Sequence, residues 1–288
     1  MKYTEEHNGI TVTGGFDDRT VIELPPEINS KKVTAVGKYA FADRNDIREV
    51  IFPEGIIHIG AHAFYNCKNI ELIELHDNIR DIDDGAFKNC YRLSRIIMHS
   101  HSGREGCIRN LMDDNTQELY MHIFYDNGKE SELTFPVFED DYVENTPARI
   151  FQAVSYGTGG AYRQCMQVGS IDYRDFDRLF PRSVREDRFQ AALYNSIGRL
   201  MYPYRLYDSA KKEYAEFLRD NAGKAAEILI EEKNTDGIKV MCDCDAFDEE
   251  SVSAAVTIAA QKGMPDVVGI LMSYKAEHFK PVRKTFEL

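Results

Sequence analysis

One step length constrains this chain more than any other feature. Phe41, Phe64 and Phe87 stand 23 residues apart (64 − 41 and 87 − 64). The same step joins Val33, Ile56 and Ile79; Val36, Ile59 and Ile82; Ala40, Ala63 and Ala86; Ile47, Ile70 and Leu93; Val50, Ile73 and Ile96; and Phe52, Leu75 and Met98. Seven apolar columns in one register describe a unit that cannot bury its apolar side alone and must stack on copies of itself. Stacked parallel strands lie about 4.8 Å apart, so each column becomes a continuous apolar ladder. The reading is a solenoid of three coils over residues 33–100. Ile47–Phe52 forms one strand of the stack, and Pro53 and Gly55 turn the chain at its end.

The phrase Ile59-Gly60-x-x-Ala63-Phe64-x-x-Cys67-x-x-Ile70-x-x-Ile73-x-Leu75 resembles the BspA-type leucine-rich repeat, also called the Treponema pallidum type. Residues 21–28 and Lys32-Val33-Thr34 resemble the segment that leads into such arrays. The pattern is broken at Arg44, where later coils carry Cys67 and Cys90, and at Asp83, where earlier coils carry Gly37 and Gly60. The resemblance implies a curved, right-handed solenoid used to bind proteins or surfaces.

Strand alternation turns Ile47, Val50 and Phe52 inward and leaves Arg48, Glu49 and Ile51 outward. The equivalent outward residues are Glu71, Leu72 and Glu74, then Ser94, Arg95 and Ile97. Apolar residues rimmed by charge suit a protein contact, and these nine are the candidate binding face. The competing expectation is that a following segment of the same chain covers them. Cys67 and Cys90 are expected to be buried thiols, and Asp43, Asn66 and Asn89 to serve the corners of the coils. His76, His99 and His101 read as solvated residues at the array's edge, without the spacing of a metal site.

After the array, Glu118–Tyr125 alternates and Asp126-Asn127-Gly128-Lys129 is a turn. Glu132–Phe135 returns, giving a β-hairpin placed to cap the solenoid. The stretch Tyr156-Gly157-Thr158-Gly159-Gly160-Ala161-Tyr162-Arg163 lacks the Lys-Ser/Thr ending of a P-loop and reads as a flexible corner. If this middle segment held a small ligand, Arg149, Tyr156, Gly159, Tyr162 and Arg163 would line its site. Exposed tyrosines at 156, 162, 202 and 204 are the sole basis for a third reading, carbohydrate binding.

From residue 183 the periodicity becomes helical. Six helices are expected: Glu186–Leu200, Asp208–Asn221, Gly223–Lys233, Thr235–Cys242, Glu249–Lys262 and Pro265–Ala276. Asp208 and Asp248 are expected N-caps, Gly263 a helix stop and Pro265 a first-turn residue. Ala225, Ile238 and Met241 recur as Ala254, Val267 and Ile270 at a step of 29, and Ala254–Gly263 with Val267–Leu271 resembles the paired helices of an ankyrin repeat. The Thr-Pro-Leu-His start and the 33-residue step of that family are missing.

The expected organisation is therefore α+β: a leucine-rich-repeat domain over residues 1–106, a hairpin and connecting segment over 107–180, and a helical, ankyrin-like domain over 181–288. A net charge of −13 repels phosphate backbones, which argues against nucleic-acid partners. The first residues have no apolar signal core, no stretch of ~18 apolar residues spans a bilayer, and six scattered cysteines suit a reducing compartment, so the expectation is cytoplasmic and not membrane-bound. No Gly-x-Ser-x-Gly, His-Glu-x-x-His or paired-cysteine motif is present, so no catalytic residue, cofactor or metal is expected. The leading expectation is a non-catalytic scaffold that grips a protein partner. The alternative is an enzyme or ligand-binding protein with its site near the glycine loop 157–160.

Overall fold

The computed structural model describes residues 1–16, 19–145, 150–167 and 169–279, with the side chains of 140–145 and 150–155 excepted. Its strands are β1 (Lys2–Glu6), β2 (Gly9–Gly14), β3 (Val21–Glu23), β4 (Glu27–Ile28), β5 (Lys31–Val36), β6 (Glu49–Ile51), β7 (His58–Ile59), β8 (Leu72–His76), β9 (Asp81–Ile82), β10 (Arg95–Ser100), β11 (Leu119–Tyr125), β12 (Glu130–Phe135), β13 (Glu139–Asn145) and β14 (Ile150–Tyr156). The helices are α1 (Arg109–Asp113), α2 (Gly159–Gln164), α3 (Tyr173–Arg178), α4 (Phe180–Glu186), α5 (Phe189–Met201), α6 (Asp208–Asp220), α7 (Ala222–Glu231), α8 (Thr235–Asp243), α9 (Glu249–Gln261) and α10 (Pro265–His278). They fall into two compact units, one of residues 1–192 with 202–206, the other of 193–201 with 207–288.

The first unit is the solenoid. Strands β3, β6, β8, β10 and β11 run parallel in one sheet, and β12 closes it antiparallel. A second sheet, in the order β1-β2-β5-β7-β9, forms the opposite wall. The phenylalanine column is layered as its spacing requires: Phe41 and Phe64 stack at 5.0 Å and 13°, Phe64 and Phe87 at 5.2 Å and 4°. Beside it, Ile22, Val50, Ile73, Ile96 and Met121 occupy successive rungs in register, all buried.

The array therefore has five parallel rungs where three were expected. The two additional rungs escape the period because Ile22 and Val50 are 28 residues apart (50 − 22) and Ile96 and Met121 are 25 apart (121 − 96). At the second step the chain spends residues 105–113 on a 3-10 turn and α1, which bury Ile108, Leu111 and Met112 in the same core. The expected hairpin is β11–β12, and it does cap the stack. The middle segment shares the array's buried core as far as Phe176. A second antiparallel pair, β13–β14, precedes the glycine loop, where the sequence carried no strand expectation.

Both departures from the repeat have a physical role. Cys67 Sγ donates to the Phe41 carbonyl and Cys90 Sγ to the Phe64 carbonyl, each reaching back one coil. Arg44, in the same column, reaches back to the carbonyls of Gly15 and Phe16. Asp83, replacing glycine, accepts from the Ala61 amide at 3.1 Å and pairs with His58. Asp43, Asn66 and Asn89 take up positive φ at the corners, as expected of their type. A second positive-φ column, Tyr39, His62 and Gly85, carried no such signal.

In the second unit α7–α8 and α9–α10 are paired helices. Asp248 caps α9 in a capping box with Ser251, Gly263 adopts φ +68°, and Pro265 begins α10. Asp208 is the first residue of α6 and Tyr207 its N-cap, so the expected Asp208 cap is shifted by one. The repeat step is also corrected, from 29 to 30. Lys233 and Gly263 take the same left-handed turn, Thr235 and Pro265 start the second helices, and Ala225 and Met241 match Ala255 and Leu271 in burial. Ala254, the partner expected at 29, is exposed. An Ala-Ala pair leaves a helical register ambiguous by one, and the turns resolve it.

Candidate functional site

Register across the parallel sheet decides what its outer face presents. Glu49, Leu72, Arg95 and Tyr120 form one row of neighbours; Ile51, Glu74, Ile97, His122 and Glu132 form the next; His76, His99, Phe124 and Glu130 form a third. Like does not lie on like here. Most of the nine expected face residues are half-buried, and Arg95 is exposed. Leu72 is the correction: it is only 8% exposed, because its flanking rungs carry the longer Glu49 and Arg95 and it lies at the bottom of a hollow. That hollow, of about 410 Å³, is lined by Leu72, Arg95, Ile97, Tyr120, His122, Phe124 and Glu132 with the edge of Ile96. Its size falls within the range of small-ligand and side-chain pockets.

The charges around the hollow are mostly paired. Arg48 meets Glu71 at 2.6 Å, and His99 Nε2 meets Glu74 at 2.8 Å. His122 is held by Glu130 at 2.8 Å and Glu132 at 3.4 Å. Burial alone would lower the pKa of His122, but the two carboxylates outweigh it and the net displacement is upward. Arg95 has no hydrogen-bond or ion-pair partner among the described residues.

Of the histidines expected to be solvated, His101 is exposed, whereas His76 and His99 are half-buried. His76 stacks on His99 at 4.8 Å and on His101 at 5.3 Å, and His99 stacks on Phe124 at 5.6 Å. His122 lies against Phe124 at 4.4 Å and edge-on to Tyr202 at 4.9 Å. His101 bridges His76 at 3.0 Å and Asp126 at 2.7 Å. Burial, then the neighbouring His99 and His101, lowers the pKa of His76. The sequence held a signal for this row: His76 and His99 share a column, and the Asn-Gly turn sets His122 opposite Glu132. Among the described residues no group of three or more His, Cys, Asp or Glu is arranged to hold a metal ion.

The glycine-loop alternative fares differently. Arg149 lies outside the described residues. Tyr156 is exposed, whereas Gly159, Tyr162 and Arg163 are buried. The Arg163 guanidinium donates to the main-chain carbonyls of Met112, Asn115, Pro136, Gly159 and Gln117 and lies over the Phe138 ring at 4.9 Å. Desolvation draws its pKa down to about 10. A Cβ on Gly159 would come within 2.0 Å of the Pro136 carbonyl, so this glycine serves close packing. The loop is a structural corner, and Arg163, expected to line a ligand site under the alternative, is already used by the backbone. Of the tyrosines grouped with Tyr156 and Tyr162, Tyr204 stacks on Tyr125 at 4.0 Å within the first unit.

Thiol chemistry is likewise suppressed. Burial pushes the Cys67, Cys107 and Cys165 thiols up to about 12, raises Cys90 further, and leads the rise of Cys242 and Cys244 to about 11. No helix among the described residues is long and apolar enough to cross a membrane.

Comparison with known proteins agrees with the repeat. Residues 22–111 match the model of the BspA type leucine rich repeat region, in six copies. A Leucine Rich Repeat protein of T. pallidum is 27% identical over 37% of this chain and 53% of that one, at a TM-score of 0.32. A leucine-rich repeat protein from Bacteroides ovatus is 28% identical over 34% and 29% of the two chains, at 0.30. A leucine rich cell surface protein from Faecalibacterium prausnitzii is 20% identical over 38% and 32%, at 0.31. The chain thus spans about half the length of the first and about a third of the others. No curated protein matches it. The likeness to the BspA-type leucine-rich repeat thus rests on residues 22–111 of this chain.

Proposed function

We propose that the chain is a non-catalytic scaffold that holds a protein partner on the outer face of its parallel sheet. The observation that carries this reading is the hollow at β8–β12. It combines an apolar floor, three aromatic rings and an exposed arginine on a rigid sheet, the combination enriched where proteins bind proteins. The repeat family supports the same reading, since arrays of this kind offer extended surfaces. The paired helices of the second unit, ankyrin-like in their stacking, provide another surface of that type. A cytoplasmic setting belongs to the same proposal; what supports it is the thiol column, in which Cys67 and Cys90 donate to carbonyls of the preceding coil.

The test is affinity capture from lysate of the source cells, using the full chain and an Ile97→Glu, Phe124→Ala double variant with unchanged circular dichroism. A partner held by the first and released by the second supports the face. One retained equally by both moves the contact elsewhere.

A further inference from the structure

The hollow has a polarity that its apolar floor does not explain. The charged groups on and beside its rim other than Arg95 already contact partners within the sheet. Glu132 shares His122 with Glu130, and one step away Glu74 holds His99 while Glu71 holds Arg48. Arg95 alone stands exposed and without a partner among the described residues lining the hollow. It lies beside Leu72 in the row, with Tyr120 on the next rung. The nearest unpaired carboxylate in that row is Glu49, two rungs away, about 10 Å at the spacing of a parallel sheet.

An exposed guanidinium beside an apolar, aromatic-walled cavity matches a ligand carrying a carboxylate next to a ring or branched apolar group. A basic ligand would instead meet Arg95 as a like charge, and Glu132, the carboxylate that lines the hollow, is already engaged with His122. Resting on the docking face proposed above, we infer that the partner contributes an acidic–aromatic peptide segment, an Asp or Glu adjacent to Phe or Tyr. The ring settles on Leu72 and Ile97 against Tyr120 and Phe124. The carboxylate forms a charge-assisted pair with Arg95.

Panning a phage-displayed dodecapeptide library on the full chain, on Arg95→Glu and on Ile97→Glu tests this directly. The expected result is enrichment of Asp or Glu next to an aromatic residue on the unmodified chain. Synthetic peptides of that kind, followed by fluorescence anisotropy, should bind Arg95→Glu about ten- to a hundredfold more weakly. Panning on Arg95→Glu should shift the selected charge to Lys or Arg. Peptides that require Ile97 but carry no acid, or that bind Arg95→Glu undiminished, would overturn the acidic partner and leave the docking face standing. Peptides indifferent to both substitutions, or no enrichment at all, would overturn the acidic segment together with the face that it needs.

Discussion

The two faces of one sheet follow opposite rules. On the inner face, equivalent residues of successive coils meet: Ile22, Val50, Ile73, Ile96 and Met121 in one row, and Phe41, Phe64 and Phe87 against them. On the outer face, unlike residues meet: Glu49 beside Leu72 beside Arg95, and Glu74 beside Ile97 beside His122. The inner ladder must exclude water at every rung, so any departure costs stability and the repeat stays strict. The outer ladder need only pair its charges, so each rung is free to acquire its own chemistry. Stability is thus concentrated on one side of the strand, and the proposed recognition on the other.

Removing a rung from the middle of the inner ladder should have the largest effect. Phe64 is completely buried, stacked between Phe41 and Phe87 and edge-on to Phe52. Phe64→Ala should cost about 3–5 kcal/mol in denaturant unfolding of the first unit, and Phe64→Leu distinctly less. Because the chain contains two units, the transition should be followed by a probe in the array rather than by total helicity. A loss below 1 kcal/mol would mean that the column can collapse around the gap, and the contrast between faces would fail.

Next comes a polar group doing the work of the inner face. Arg163 ties α2 to the carbonyls after α1, before β11 and after β12. Arg163→Met keeps the volume but leaves those buried carbonyls without donors, and should destabilise the first unit by about 2–4 kcal/mol. Hydrogen exchange should accelerate first in β12 and α2. Slow exchange retained there would show that water replaces the guanidinium.

How much of this was legible follows from the same asymmetry. The inner columns were readable because each rung repeats its residue type at a fixed step. Reading stopped at three coils because the flanking steps stretch to 28 and 25 residues, and a strict period cannot cross them. The Asp43, Asn66 and Asn89 corner was readable from residue types that tolerate positive φ, whereas Tyr39 and His62 hold the same conformation with side chains that do not signal it. The helices of the second unit were placed within a few residues because their punctuation is local, in Asp248, Gly263 and Pro265. The site was less legible. A single arginine among glycines does not reveal whether it faces a ligand or five carbonyls. Leu72 reads as exposed until the neighbours across the strands are known.

A smaller effect separates the outer-face charges from the core by their pH dependence. The folded-state pKa of His122 is raised above its ordinary 6.5. Its contribution is therefore fully present below pH 6.5 and is lost as the pH rises through the folded value. Stability measured from pH 6 to pH 8 should fall more for the unmodified chain than for His122→Gln. The excess should be about 0.5 kcal/mol, as half-exposed ion pairs permit. A nuclear magnetic resonance titration should place the His122 ring above the ordinary histidine value, and a ring titrating below it would remove the carboxylate clamp.

The smallest stability effect is expected where the binding effect is expected to be greatest. Arg95 is exposed, without a partner among the described residues, and flanks Leu72 on the outer face of the sheet. Arg95→Glu should change the unfolding free energy by no more than about 0.5 kcal/mol. It places a carboxylate beside Leu72, near Glu49 in the same row, so any change should be a slight loss that salt screens. Paired with Phe64→Ala, this variant makes the division of labour quantitative: one substitution unfolds the array, and the other leaves it folded with its recognition charge reversed. If Arg95→Glu instead destabilised the first unit by 2 kcal/mol or more, the guanidinium would be part of the fold's own support, and the outer face would lose its independence from the inner one.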